Sequence, residues 1–262
     1  MDKERAGIQS VEVGFTLLQA LGRAPGALML KDLAFAAGMG AAKAHRYLVS
    51  YQRLGLVVQD GRSGHYDLGP AALHLGLAAL TRLDPVQLAR ERLPALMEQM
   101  QHTLALAVWG NQGPTLVHWM PSPQTVVAHL RLGDVMPLLS SATGRCFAAW
   151  LPAATTAPLL QAELQQTHGA DAPTAPAIAA LQPLWAEVRA QGAARVEGHL
   201  LPGTAAFCAP VFDASGQLAL GVLCLGPSTR FDARWQGAVH GPLSAWARQL
   251  SHDLGHAPAV QA

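Results

Sequence analysis

The chain has 262 residues, half of them hydrophobic and 13% charged, and its formal net charge at pH 7 is +1. This composition suits one or two globular domains with buried cores and argues against a disordered chain. The N-terminus is charged, and the longest apolar runs are much shorter than the roughly 20 residues that cross a bilayer, so we expect a cytoplasmic protein without a secretion signal or membrane anchor. Its three cysteines are too few for a disulfide framework and are expected to be buried thiols.

Three short helices are predicted at the start of the chain. Apolar residues recur at spacings of three and four over 8–21, and helical patterns follow over 28–37 and 41–54. Gly38 separates the second helix from the third, and Gly55 stands where a helix C-terminus favours glycine. The second and third helices, joined by so short a turn, are typical of a helix-turn-helix.

A β-hairpin is predicted directly after these helices. Two β-prone segments, 56–59 and 65–68, are joined by residues rich in Gly, Asp and Ser. In the helix-turn-helix, Ala34 would allow the close contact between helices and Gly38 would accept a positive φ in the turn. Helices followed by a hairpin predict a winged helix-turn-helix DNA-binding domain over 1–69.

The predicted helix 41–54 presents side chains that suit double-stranded DNA. Lys43, Arg46 and Arg53 can neutralise phosphates, and His45 or Arg46 can reach acceptors on base edges. Small residues at the start of the helix would let it approach a major groove closely, and the hairpin would reach a neighbouring groove or the backbone. The candidate DNA-binding residues are Lys31, Ala41, Ala42, Lys43, His45, Arg46, Arg53, Arg62 and His65.

The rest of the chain predicts a linker helix over 70–82, within a linker of 70–84, and an α+β sensor domain over 85–262. Asp84-Pro85 marks the boundary between them. Within the sensor domain the patterns predict helices over 86–101, 157–167, 181–191 and 236–254, a helix that starts near Gly144 and runs to about residue 151, and strands over 104–109, 115–120, 125–130, 206–212 and 218–225.

Two other classes of function are alternatives to a DNA-binding regulator. An enzyme is disfavoured because only His252 and His256 have a one-turn helical spacing, with no nearby acidic third ligand, and no nucleophile or phosphate-loop motif occurs. We therefore expect no catalytic residues, no metal and no cofactor. A winged helix that docks proteins without binding DNA is the remaining alternative, since residues 1–80 hold eight basic and six acidic side chains, a mild excess.

The sequence resembles the IclR (isocitrate lyase regulator) family of bacterial transcriptional regulators along nearly its whole length. In the N-terminal part the resemblance is carried by Ser10-Val11-Glu12-Val13-Gly14, Asp32-Leu33-Ala34, Gly38-Met39, Lys43-Ala44-His45-Arg46-Tyr47-Leu48, Gly55-Leu56-Val57 and Tyr66-Asp67-Leu68-Gly69. In the C-terminal part it is carried by Gly133-Asp134-Val135-Met136-Pro137-Leu138, Ser141-Ala142-Thr143-Gly144-Arg145, Ala209-Pro210-Val211-Phe212-Asp213 and Gly226-Pro227-Ser228.

This resemblance implies a homodimer or tetramer that binds a palindromic operator. It also implies a GAF-like C-terminal domain that binds a small effector, commonly an organic acid or an aromatic compound. Binding would shift the population between two arrangements of the sensor domain, with the linker helix transmitting the change to the DNA-binding domains. Repression and activation both remain open.

The sequence departs from the family pattern at both sites. Ala42 and Lys43 stand where many members carry Ser-Thr, so the Lys43 ammonium would replace a hydroxyl contact to phosphate. In the predicted pocket, apolar residues replace the usual serines, cysteine and acidic residue, which suggests an apolar, aromatic effector whose polar end meets hydroxyls and backbone N–H groups near Gly144. Each of these residues could equally be ordinary core. The candidate effector-binding residues are Trp109, Met120, His129, Ser141, Ala142, Thr143, Gly144, Val196, Ala206, Leu223 and Leu225.

Overall fold

A computed structural model describes residues 7–122, 130–169 and 174–257 of the chain. The chain divides into two compact units, Met1–Leu83 and Asp84–Ala262, and each is described by itself. The strand predicted over 125–130 falls, apart from Leu130, outside the described residues. None of the described helices is both long and apolar enough to cross a membrane.

The first unit is a winged helix-turn-helix, as predicted. Its core is built from two or three buried residues of each of the first three helices, among them the fully buried Leu17, Leu33 and Leu48. Gly38 has a φ of +67° in the turn, and the N–H of Met39 donates to the carbonyl of Ala34 at 2.9 Å. The elements are α1 (Gln9–Arg23), α2 (Leu30–Ala36), α3 (Ala41–Arg53), the antiparallel pair β1 (Val57–Gln59) and β2 (Tyr66–Leu68), and α4 (Pro70–Leu80).

The second unit is a five-stranded antiparallel sheet with helices on both faces, which confirms the predicted α+β class. The strands lie in the order β4-β3-β7-β6-β5, so that β4 and β5 form the edges. The elements are α5 (Pro85–Met100), β3 (Thr103–Gly110), β4 (Gly113–Met120), α6 (Ala142–Trp150), α7 (Ala153–His168), α8 (Thr174–Ala179), α9 (Gln182–Gln191), β5 (Ala194–Glu197), β6 (Thr204–Phe212), β7 (Leu218–Pro227) and α10 (His240–Asp253).

The central strands send alternate side chains into two separate cores. On β6, Phe207 packs in a core with α5 and α10, whereas the next residue, Cys208, packs in a core with α6 and α9. This alternation is the two-residue period of a strand that is covered on both faces. Phe147 of α6 is fully buried in the second core, where burial of such a side chain contributes about 1.5–3 kcal/mol. The strands therefore fix α6 against one face of the sheet.

Several predicted boundaries differ from the structure. Strand β5 was not predicted, because four residues of the pattern Ala-Arg-Val-Glu are too few to establish a period. The helix predicted over 157–167 is α7, which begins at Ala153 and contains Pro158. The last helix begins at His240 rather than near Gln236, whose positive φ of 58° does not fit a helix.

His240 is a buried histidine that joins α10 to the end of α9. Its Nδ1 accepts a hydrogen bond from the N–H of Gln236 at 3.1 Å, and its Nε2 lies 3.1 Å from the carbonyl of Gln191, to which it donates as neutral imidazole. The ring also packs against Phe207 and Trp235. Burial lowers the pKa of His240 below its ordinary value of 6.5. A second proton would fall on Nδ1 and break the bond from Gln236.

The stability of the second unit is therefore expected to fall in mild acid. Since the pKa of His240 is lower in the folded than in the unfolded chain, the unfolded chain takes up the proton first as the pH drops below 6.5. Urea denaturation between about pH 7.5 and about pH 5.5 should show a decreasing free energy of unfolding. The pKa values of His102 and His118 are lowered too, so His240→Gln should reduce this pH dependence without abolishing it. A pKa of 6.5 or above for His240 in an NMR titration would contradict the assignment.

A candidate DNA interface and a candidate effector cavity

The buried face of α3 determines which of its side chains point outward. Ala44 and Leu48 are fully buried in the core of the first unit. The side chains of α3 that were predicted to contact DNA lie on the exposed part of the helix. Eight of the nine candidate residues are exposed, and His65 is half-buried; the exposed ones are Lys31, Ala41, Ala42, Lys43, His45, Arg46, Arg53 and Arg62.

The start of α3 is open to an anion. Gly40 precedes the helix and supplies no side-chain cap, and the N–H groups of Ala41 and Ala42 have no hydrogen-bond partner within the described chain. Such groups, together with the helix dipole, favour a negatively charged ligand. Lys43 and Arg46 follow within the next turn, and neither forms an ion pair with any described residue. Their charge is therefore free to meet phosphate.

The tip of the β1–β2 hairpin is ordered by its own side chains. The carboxylate of Asp60 accepts hydrogen bonds from the N–H of Arg62 at 3.2 Å and from the N–H of Ser63 at 3.0 Å. The hydroxyl of Ser63 also donates to it, and these bonds lower the pKa of Asp60. The Nδ1 of His65 lies 3.2 Å from the carbonyl of Ser63. The hairpin thus holds Arg62 outward, whereas His65 belongs partly to the turn.

A partly open cavity lies between the start of α6 and the neighbouring strands; we call it the α6 cavity. Most of its wall is apolar, and His199 is its only ionisable side chain among the described residues. Seven candidate effector-binding residues line it: Ser141, Ala142, Thr143, Val196, Ala206, Leu223 and Leu225. Seven further lining residues were not predicted: Leu130, Met136, Gly198, His199, Leu200, Leu201 and Thr204.

Polar groups of the α6 cavity are concentrated at the N-terminus of α6. The hydroxyl of Ser141 caps the helix, accepting from the N–H of Gly144 and donating to the carbonyl of Pro137, both at 2.7 Å. The N–H groups of Ala142 and Thr143 have no partner among the described residues. The buried hydroxyl of Thr143 likewise has none in the described chain. Because a buried hydroxyl without a partner costs about 1–3 kcal/mol, this cluster suits a bound acceptor such as a carboxylate.

Three candidate effector-binding residues do not line the α6 cavity, and one lies outside the described residues. Met120 pairs with Leu104 and shares its face of the sheet, so that it packs on the core with α5 and α10. Trp109 stacks on Phe147, with ring centroids 6.0 Å apart. Gly144 faces the backbone of the preceding segment, and its N–H is already bound by Ser141. His129 belongs to the stretch that is not described.

The segment between β5 and β6 could not have been assigned from the sequence. Four of the unpredicted lining residues, Gly198 to Leu201, belong to it. It reaches the cavity only because β5 pairs with β6, with Val196 opposite Ala206. That pairing depends on a four-residue strand that periodicity does not detect. The sequence signal that could have marked the segment is the pair of glycines at its two ends, Gly198 and Gly203. In the structure both have positive φ values, +68° and +75°, which glycine adopts readily.

Comparison with known proteins gives consistent matches over nearly the whole chain. The family described as the C-terminal part of bacterial transcriptional regulator IclR matches residues 77–252, and the IclR helix-turn-helix domain matches residues 10–61. The chain is 26% identical to the HTH-type transcriptional regulator KdgR of Escherichia coli over 256 residues, which is 98% of this chain and 96% of KdgR. It is 30% identical to the glycerol operon regulatory protein of Streptomyces griseus over 250 residues, 95% of this chain and 97% of the relative.

The same pattern holds for solved structures. The crystal structure of Pseudomonas aeruginosa HmgR superposes with a TM-score of 0.86 at 40% sequence identity, covering 95% of this chain and 99% of HmgR. The Agrobacterium tumefaciens repressor BlcR superposes with a TM-score of 0.75 at 19% identity, covering 96% of this chain and 99% of BlcR, and shows the same fold.

Proposed function

Because the chain belongs to the IclR family of bacterial transcriptional regulators, we propose that an organic acid held in the α6 cavity controls how its winged helix-turn-helix binds a palindromic operator. The protein is a DNA-binding regulator whose activity is modulated by an effector. It acts in the cytoplasm, by binding rather than by catalysis. The observation that carries the choice of ligand is the hydroxyl of Thr143, which has no partner in the described chain, beside free N–H groups in a mostly apolar cavity.

The effector is a monocarboxylic acid with an apolar, aromatic body. Its carboxylate accepts hydrogen bonds from the hydroxyl of Thr143 and from the N–H groups of Ala142 and Thr143, and the positive end of the helix dipole adds to their attraction. Leu223 and Leu225 surround the body. No Lys or Arg side chain of the described chain lines the cavity, so a second carboxylate would lose its hydration without gaining a permanently charged partner.

DNA is bound by α3 in a major groove, with the hairpin tip on the adjacent backbone or minor groove. Lys43 and Arg46 supply charge at the start of α3, and Arg62 supplies it at the hairpin. The absence of ion pairs to Lys43, Arg46 and Arg62 in the described chain supports this assignment. Lys31 and Arg53 extend the cationic surface on either side.

The regulator binds as a homodimer, or as a tetramer built from dimers. Helix α4 has no buried residue, and Leu73, Leu75 and Leu77 are 61%, 66% and 49% exposed. In α1, Val11 and Phe15 are more than half exposed as well. Exposed apolar residues in such number are typical of a protein interface, and a second copy of the chain would match a palindromic operator. Binding of the effector favours one arrangement of the sensor domains and thereby changes operator affinity through the linker helix.

The effector assignment can be tested by calorimetry with benzoate and phenylacetate against malonate and succinate. We expect the aromatic monocarboxylates to bind and the dicarboxylates to bind much more weakly. Thr143→Val should weaken benzoate binding by about tenfold, because one hydrogen bond to a charged group is lost. The same variant should leave the free protein as stable as the wild type or slightly more so, since it removes a buried hydroxyl without a partner.

In Thr143→Val the affinity for benzoate is thus expected to fall while the stability of the free protein stays the same or rises. A variant that merely damaged the core would lose both. Preferential binding of malonate or succinate would contradict the proposed ligand class. Unchanged benzoate affinity in Thr143→Val, with the wild type binding benzoate, would contradict the placement of the carboxylate.

A further inference from the structure

The two walls of the α6 cavity come from elements that are far apart in the sequence. Ser141 and Thr143, at the start of α6, form one wall, and Val196, on β5, belongs to the other. Strand β5 is four residues long and lies at the edge of the sheet, where β6 is its only neighbouring strand in the described part of the chain. The width of the cavity therefore depends on what holds this edge strand to α6.

The wall formed by the start of α6 packs against the segment that precedes the helix, and α7 holds that segment in place. The carboxylate of Glu163, on α7, accepts hydrogen bonds from the N–H of Leu138 at 2.5 Å and from the N–H of Leu139 at 3.0 Å. The backbone of Pro137 lies so close to Gly144 that a Cβ there would be 1.9 Å from the Pro137 carbonyl oxygen. This segment and α6 are therefore packed together as one piece.

Arg145 connects that piece to the edge strand. Its Nε donates to the carbonyl of Leu139 at 2.7 Å, and its Nη1 donates to the carbonyl of Arg195 at 3.2 Å. Within the described residues the second bond is the only hydrogen bond between α6 and β5. Arg195 directly precedes Val196, whose side chain lines the cavity. The guanidinium is half-buried and feels the charge of Glu187, but it forms no ion pair with a described residue, so carbonyl oxygens are its hydrogen-bond partners.

We propose that Arg145 is a positioning residue that fixes the width of the α6 cavity and so determines which sizes of effector it accepts. This inference rests on the proposed function of the cavity. Arginine suits the role because its rigid fork presents several N–H groups at once, whereas the single ammonium of lysine cannot reproduce both contacts with the same geometry. With the bond to Arg195 lost, no hydrogen bond within the described residues joins β5 to α6. The side chain of Arg195 still donates to the carbonyl of Ala233 at 2.9 Å and lies over the Trp235 ring, so only the side of β5 that faces α6 is released to move outward around a larger ligand.

The test compares two acids of different width, benzoate and 2-naphthoate, by calorimetry on the full chain. Arg145→Lys is expected to raise the affinity for 2-naphthoate relative to benzoate by about tenfold, the change that corresponds to one hydrogen bond. The matched control is Arg189→Lys. Arg189, on α9, donates to the carbonyl of Ala149 at 2.8 Å, at the opposite end of α6, and does not line the cavity. Its variant should leave the ratio of affinities unchanged.

The proposal would be overturned if the ratio of 2-naphthoate to benzoate affinity stayed the same in Arg145→Lys. It would also be overturned if this ratio changed equally in both variants, because that result would indicate a general loosening of α6. If Arg145→Lys does not fold, Arg145→Gln, which can still donate to one carbonyl, must show the same direction of change. A wild type that binds neither benzoate nor 2-naphthoate would overturn the proposed ligand class, and this inference with it. A wild type that binds benzoate, with a ratio indifferent to Arg145, would overturn this inference alone.

Discussion

Replacing Arg46 by alanine is expected to weaken operator binding by about 1–3 kcal/mol, which is roughly 5- to 150-fold. Arg46 is exposed on α3, whose orientation is fixed by the buried Ala44 and Leu48. Its truncation would remove the proposed DNA contact and leave the core of the first unit intact. The measurement is fluorescence anisotropy on a duplex recovered by selection from genomic DNA, at several salt concentrations.

Arg248→Ala provides the matched control for this prediction. Arg248 is exposed on α10 in the other unit, and its loss changes the net charge of the protein by the same amount. Affinity should stay near that of the wild type in this variant. Equal losses in both variants would indicate an effect of net charge, and no loss in Arg46→Ala would rule out α3 as the recognition helix. A wild type that binds no duplex at low salt would favour the protein-docking alternative over DNA binding.

Replacing Gly144 by alanine is expected to destabilise the second unit by about 1–3 kcal/mol or more and to abolish most effector binding. The added Cβ would lie 1.9 Å from the carbonyl oxygen of Pro137 and 2.5 Å from the Cα of Leu138. Both are backbone atoms, so no side chain can rotate away. Helix α6 and the segment before it would have to separate, and this would displace the N–H groups of Ala142 and Thr143.

Gly241→Ala is the control for the glycine prediction, because Gly241 is also helical. There the nearest atom to an added Cβ is the carbonyl oxygen of Gln236, at 3.9 Å, so nothing clashes. This variant should be neutral or stabilised by up to about 1 kcal/mol, since alanine favours a helix over glycine. Urea denaturation measures both variants. A Gly144→Ala protein as stable as Gly241→Ala would contradict the close contact between α6 and Pro137.

The elements with a clear period were predictable from the sequence, and those defined by pairing were not. Helices α1 and α3 have long apolar stripes, and the hairpin has its own turn residues, so the DNA-binding unit followed from local patterns. Strand β5 is recognisable only through its register with β6, and the cavity residues from Gly198 to Leu201 depend on it. The position of Met120 outside the α6 cavity has a similar origin, because the face of β4 on which it lies is decided by its pairing with Leu104.

The start of α6 was predictable in part. The family resemblance placed Ser141, Ala142 and Thr143 near a ligand, and all three line the cavity. Sequence alone could not distinguish a hydroxyl that is used from one that is free. The hydroxyl of Ser141 accepts a hydrogen bond from the N–H of Gly144 and donates one to the carbonyl of Pro137, whereas the hydroxyl of Thr143 has no partner in the described chain. Only the three-dimensional arrangement separates the capping residue from the candidate ligand contact.

Helix α4 sets a condition on how the regulator works at low abundance. It contains no Asp, Glu, Lys or Arg and has no buried residue. If two copies cover this helix between them, dilution separates the copies and exposes leucines to water. At low concentration, operator occupancy would then rise with the square of the protein concentration. The amount of regulator in the cell, as well as the effector, would therefore determine how much of the operator is occupied.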